Sequence, residues 1–116
     1  MTQKKGVVES YFACFNRLDW HALTSLVTDD IERWEPGAPG PVRGKKELEE
    51  GMRPGPDVTE LHADVARTIE EGDVAVAEGK VRISLKDGKK INVQFCTIFE
   101  FERDKIRRIT AFSAVL

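Results

Sequence analysis

Cysteine and histidine are scarce in this chain: Cys14 and Cys96, His21 and His62, among 116 residues. The cysteines lie far apart, without CxxC or Cys/His ligand spacing, so neither a disulfide framework nor a zinc site is expected, and both read as reduced core or interface thiols. The histidines have no partner at metal or triad spacing and are expected in solvent. No Ser/His/Asp or Cys/His arrangement and no phosphate-binding glycine loop occurs, which sets aside nucleophilic hydrolase, kinase and nucleotide readings. No metal and no cofactor is expected. An apolar run of about 18 residues, the length of a membrane span, is also lacking. The amino-terminal Met1-Thr2-Gln3-Lys4-Lys5-Gly6 leads into amphipathic sequence, so the expectation is a cytoplasmic protein without a membrane partner. Finally, neither sign of charge dominates: 18 Lys and Arg are interleaved with 20 Asp and Glu, for a net charge of -2. That leaves no basic stripe for a phosphate backbone, and nucleic acid is not an expected partner.

What is present suits one domain spanning residues 1–116, with 41% apolar and 33% charged residues. Residues 4 to 16 read as a first helix, with Val7, Val8, Tyr11, Phe12, Cys14, Phe15 and Leu18 at the spacing of one buried stripe, and Asn16-Arg17-Leu18-Asp19 breaks it. Asp19 can cap a second helix carrying Trp20, Leu23, Leu26 and Val27 on its buried side and ending near Thr28 to Asp30. A short strand, Ile31 to Trp34, then runs into a loop with Pro36, Pro39 and Pro41. Val42-Arg43 allows a brief strand, and Lys45 to Met52 a third helix stopped by Gly51 and Pro54. Beyond Val58 the spacing changes to period two and predicts four long antiparallel strands. Asp87-Gly88 reads as a type I′ hairpin turn, with positive φ at both central residues. Helices at one end and strands at the other argue α+β, with a curved sheet able to enclose a cavity.

The stretch richest in chemical possibility is Asp29-Asp30-Ile31-Glu32-Arg33-Trp34-Glu35-Pro36-Gly37, which sets Glu35 beside an indole where a strand stops. A carboxylate there is a candidate general base or an ordinary solvated loop residue. Glu78, Lys80 and Arg82 alternate along one strand and read as a solvated or dimer-facing charge ladder.

Three segments carry a family resemblance: Val8 to Trp20, Asp29 to Pro36, and the Arg43-Gly44-Lys45-Lys46-Glu47-Leu48 restart. With the element order, they make the chain resemble the nuclear transport factor two-like superfamily, in its SnoaL-like and ketosteroid isomerase-like branch. The resemblance covers essentially the whole chain. It implies a cone-shaped (cystatin-like) α+β fold, a curved, mostly antiparallel sheet wrapped around three helices, and a homodimer through the outer sheet face. As a guide to function it is broad, because isomerases, cyclases, dehydratases, epoxide hydrolases and non-catalytic binders share this fold. In register with ketosteroid isomerase, Tyr11 falls at the oxyanion-hole tyrosine and Glu35 at the general-base aspartate, which also precedes a proline. Thr97 falls where the isomerase keeps a protonated aspartate as second donor. A threonine hydroxyl donates but is a far weaker acid, and loss of one such donor removes on the order of 100- to 1000-fold in rate. The Asp-Arg-Asp set of limonene epoxide hydrolase has no counterpart.

The resemblance therefore implies a pocket for a small hydrophobic molecule, with Tyr11, Glu35 and Thr97 as candidate catalytic residues. Phe15, Trp34, Met52, Phe95, Phe99 and Ser113 are the candidate ligand contacts. Such a pocket would serve an isomerase or cyclase-like enzyme acting by proton abstraction next to a carbonyl. A non-catalytic binder, or a dimerisation domain with a filled cavity, remains the alternative.

Overall fold

A computed structural model of the chain describes residues 4–116. The first helix, α1 (Lys4–Asn16), buries Val8, Tyr11, Phe12 and Cys14, as the spacing predicts. It ends in a left-handed residue, Leu18 at φ 58°. Asp19 N–H donates to Cys14 O at 2.9 Å and Leu18 N–H to Phe15 O at 3.0 Å, the paired bonds that close a helix C-terminus. Asp19 then caps α2 (Trp20–Thr24), its Oδ1 accepting from Ala22 N at 3.1 Å.

The second helix is shorter than the sequence suggests. Leu26 and Val27 do not extend it; Val27 opens strand β1 (Val27–Trp34). Two interactions favour the strand. Thr24 Oγ1 donates back to His21 O, a side-chain bond that competes with helix continuation, and Ile106 N–H donates to Leu26 O at 3.0 Å. Val27 is fully buried in the strand, so apolar spacing alone could not decide between the two assignments.

After β1 come β2 (Val42–Arg43), α3 (Lys45–Met52), β3 (Val58–Glu71), β4 (Val74–Leu85), β5 (Lys90–Glu102) and β6 (Lys105–Val115). The six strands form one sheet in the order β2-β1-β6-β5-β4-β3. Every neighbouring pair is antiparallel except β1 and β6, which run parallel, so the sheet is mixed. The hairpin between β4 and β5 departs from the expected type I′ form. Only Gly88 takes positive φ (90°), and Gly88 N–H closes the turn on Leu85 O, leaving the glycine as a bulge after the turn.

Register explains where the interior has room. On the inner face Phe95 lies between Gly79 and Ser113, Thr97 between Ala77 and Ala111, and Phe99 between Ala75 and Ile109. Each larger side chain of β5 thus has at least one small neighbour, and α1 lies over this face with Phe12 stacked on Phe95 at 5.3 Å. Gly79 also faces a bulge in β3 between Val65 and Arg67. A Cβ at this glycine would lie 2.1 Å from Asp64 O, so no other residue fits the approach of the two backbones.

The outer face carries the charge ladder: Glu78 pairs with Arg67, and Arg82 Nε lies 3.4 Å from Asp64. Exposed pairs of this kind contribute about 0–1 kcal/mol each. Cys14 is buried, Cys96 exposed, and both are free. His21 is exposed, and His62, half-buried, meets Asp64 at 3.2 Å. No helix among the described residues is long and apolar enough to cross a membrane.

Candidate ligand cavity

Glu35 owes its place to the turn that follows it. Ala38 N–H donates to Glu35 O at 2.9 Å, and Gly37 takes φ 96°. Proline second and a positive-φ glycine third is the pattern of a type II turn, so Pro36-Gly37 stops β1 sharply just after the carboxylate. Alternation along β1 does the rest. Ile31 is buried, and two residues on Arg33 turns inward, followed by Glu35.

Both side chains reach a cavity of about 210 Å³ between α1, α3 and the inner face of the sheet. Tyr11, Thr97, Phe15, Met52, Phe95 and Ser113 line the same space. Phe12, Val81, Ile83, Val93, Ile109 and Ala111 complete its walls. Polar groups are few and convergent within an otherwise apolar lining, the composition of small-molecule sites. An engineered cavity of about 150 Å³ holds benzene, so this one has room for somewhat more than a single ring.

The polar groups differ in depth. Tyr11 is 3% exposed and Thr97 7%, whereas the Glu35 side chain is 43% exposed and stands at the mouth. Tyr11 packs edge-on against Phe12 and Phe99, and its hydroxyl points to Met52 Sδ at 3.6 Å, a weak acceptor. Burial pushes the Tyr11 phenol above its ordinary value of 10.0, and the charge of Arg33 and a side-chain hydrogen bond from it act in the opposite direction. The phenol stays protonated at neutral pH and is available as a donor. Arg33 Nη2 lies 3.4 Å from Glu35 Oε1, while its Nε is buried without a partner.

Two expected ligand contacts lie elsewhere. Trp34 is 38% exposed and does not line the cavity, because a residue between the inward Arg33 and Glu35 must point to the opposite face. Phe99 is fully buried beneath Tyr11, with ring centroids 5.1 Å apart, and is core rather than lining. Arg33 is the residue that sequence reasoning missed. Counting by twos from Ile31 would have found it, but an arginine in a short strand reads by default as solvated. Glu78 stays on the outer face with Arg67 and does not reach the cavity. Among the described residues no cluster of three or more His, Cys, Asp or Glu is placed to hold a metal ion.

The SnoaL-like domain family matches residues 8–109. The chain belongs to the SnoaL-like domain family. No curated protein sequence matches it significantly. Solved structures share the fold at low identity. A proposed SnoaL-like polyketide cyclase from Shewanella denitrificans superposes with a TM-score of 0.85 at 12% identity, covering 96% of this chain and 90% of that one. An LEH-like epoxide hydrolase from M. tuberculosis gives 0.82 at 15% identity, covering 96% and 82%. A proposed ketosteroid isomerase from Kribbella flavida gives 0.78 at 18%, covering 96% and 77%. At these identities the likeness establishes the nuclear transport factor two-like α+β fold of this SnoaL-like chain and leaves its chemistry to the cavity.

Proposed function

We propose that this SnoaL-like chain is a cofactor-independent enzyme that abstracts a proton next to a carbonyl of a small hydrophobic substrate, as an isomerase or cyclase does. One observation carries the reading: a carboxylate, a buried protonated phenol and a threonine hydroxyl line one apolar cavity. Glu35 takes the proton from carbon, and the electron pair moves onto the carbonyl oxygen. Tyr11 and Thr97 donate hydrogen bonds to that oxygen as its charge develops. Glu35 returns the proton at another carbon to isomerise the substrate; alternatively, the carbanion attacks a second carbonyl to close a ring, and the alkoxide formed there takes the proton back from Glu35. The names of the cyclase and isomerase neighbours agree with this chemistry.

Exchange of the α-protons of 1-indanone for deuterium in D₂O, followed by NMR, tests the step without knowledge of the natural substrate. The wild type is expected to accelerate exchange, and Glu35→Gln to lower the rate by about 100-fold or more. Tyr11→Phe should cost on the order of 100-fold, the usual weight of an oxyanion donor. Exchange in Glu35→Gln as fast as in wild type would sink the reading.

A non-catalytic binder of small hydrophobic molecules is the second reading. It is favoured by the engagement of a Glu35 oxygen with Arg33 and by threonine at the second donor position. Ligand binding without exchange in the wild type would select it. We also propose that the chain works as a homodimer through the outer face of β4 to β6, where Phe112, Cys96 and Leu116 are exposed.

A further inference from the structure

Arg33 is the cavity residue that proton abstraction leaves unused. Its side chain is only 26% exposed, in a wall made chiefly of phenylalanine, valine and isoleucine. A guanidinium offers five N–H donors in one plane and accepts nothing. Few of them are engaged here. Nη2 makes a long contact of 3.4 Å with Glu35, the guanidinium also donates toward the Tyr11 hydroxyl, and Nε is buried with no partner. A buried donor without an acceptor is costly, more so on a charged group. Glu35 offsets the charge only in part, since its own side chain is 43% exposed and offers one oxygen at the far limit of hydrogen bonding. The cation therefore holds unspent donor capacity beside a cavity with space for a ligand.

We infer that the cavity accepts a small apolar molecule bearing a carboxylate, anchored when Arg33 turns its Nε and Nη donors into the cavity, with the Tyr11 hydroxyl as an adjacent donor. The inference rests on the cavity being the ligand site, and does not require Glu35 to act as a base. Three features select a carboxylate among anions. The two oxygens of a carboxylate match the planar fork of a guanidinium. Arg33 and Glu35 together carry no net charge, so a monocarboxylate leaves one negative charge to be balanced by solvent, whereas a dianion such as a phosphate monoester leaves two. The remaining walls are apolar and suit the hydrocarbon body of an aromatic or branched acid.

Calorimetric titration of the full chain with benzoate and with benzamide, which has the same shape without the charge, tests the inference. Wild type is expected to bind benzoate roughly tenfold or more tightly than benzamide, the weight of a charged hydrogen bond. The preference should shrink as salt rises from about 20 to about 500 mM. Arg33→Met should abolish the preference, and Arg33→Lys, which keeps the charge without the fork, should retain part of it. Glu35→Gln removes the carboxylate that competes for Arg33, so it should bind benzoate more tightly than wild type while ketone exchange falls, which separates this inference from the proposed reaction. Equal affinity for the two probes in wild type, binding of neither, or an undiminished preference in Arg33→Met overturns it. If Arg33→Met fails to fold by circular dichroism, Arg33→Lys and the wild-type salt dependence decide in its place.

Discussion

Tyr11 sits where structural and chemical demands meet, with its ring in the core and its hydroxyl in the cavity. Because burial raises its pKa above 10.0, the folded chain holds the phenolic proton more tightly than the unfolded chain does. Its contribution to stability is therefore fully present below the unfolded value and is lost as pH climbs through the folded one. Thermal melts from about pH 9 to about pH 11 should show wild type losing stability more steeply than Tyr11→Phe, in which this group is absent. Parallel curves would show that the phenol is not held by burial. Tyr11 and Glu35 were legible as candidates because the resemblance supplied partners for them. Arg33 was not legible in the same way, since its inward direction depends on strand parity, and parity becomes certain only once Ile31 is known to be core.

At the scale of elements, period-two spacing set the inner faces of β4 and β5 correctly, because those strands are long and their alternation is strict. The boundary between α2 and β1 was hidden, since Val27 is buried in either conformation and only its pairing with Ile106 decides. The bulge in β3 was also hidden. It flips the inward set, from Ala63 and Val65 before it to Thr68 after it, and the sole trace in sequence is Gly79 on the neighbouring strand. Gly79→Ala would place a methyl group 2.1 Å from Asp64 O and 2.9 Å from Val65 Cα, both backbone atoms. The expected cost is about 2 kcal/mol or more, read as a lower midpoint in urea denaturation. An unchanged midpoint would mean that the two strands separate here at little cost.

For the molecule as a whole, shape bears on assembly. Its extents are 45 × 28 × 27 Å and its accessible surface 7186 Å², against about 6,400 Å² for a monomer of this size. The elongated shape accounts for the excess, since a long body carries more surface for its mass than a round one. Phe112, 44% exposed and paired with Cys96 on the outer face, sits where a second copy would cover it. Sedimentation at micromolar concentration should show a dimer, and Phe112→Glu should shift it toward monomer while preserving benzoate binding, since Phe112 points away from the cavity-lining Ala111 and Ser113. A monomeric wild type would refute this arrangement.

The parallel pairing of β1 with β6 also constrains the order of assembly. Val27 meets Ile106, so contact joins the first strand to the last across most of the chain. Closing so long a loop is entropically costly and kinetically slow. The strand that carries Arg33, and presents Glu35 at its end, is synthesised before α3 and β3 to β5, yet its principal main-chain partner, β6, follows them all. The two charged groups of the cavity thus take their place in the sheet only after β6 has come back to β1.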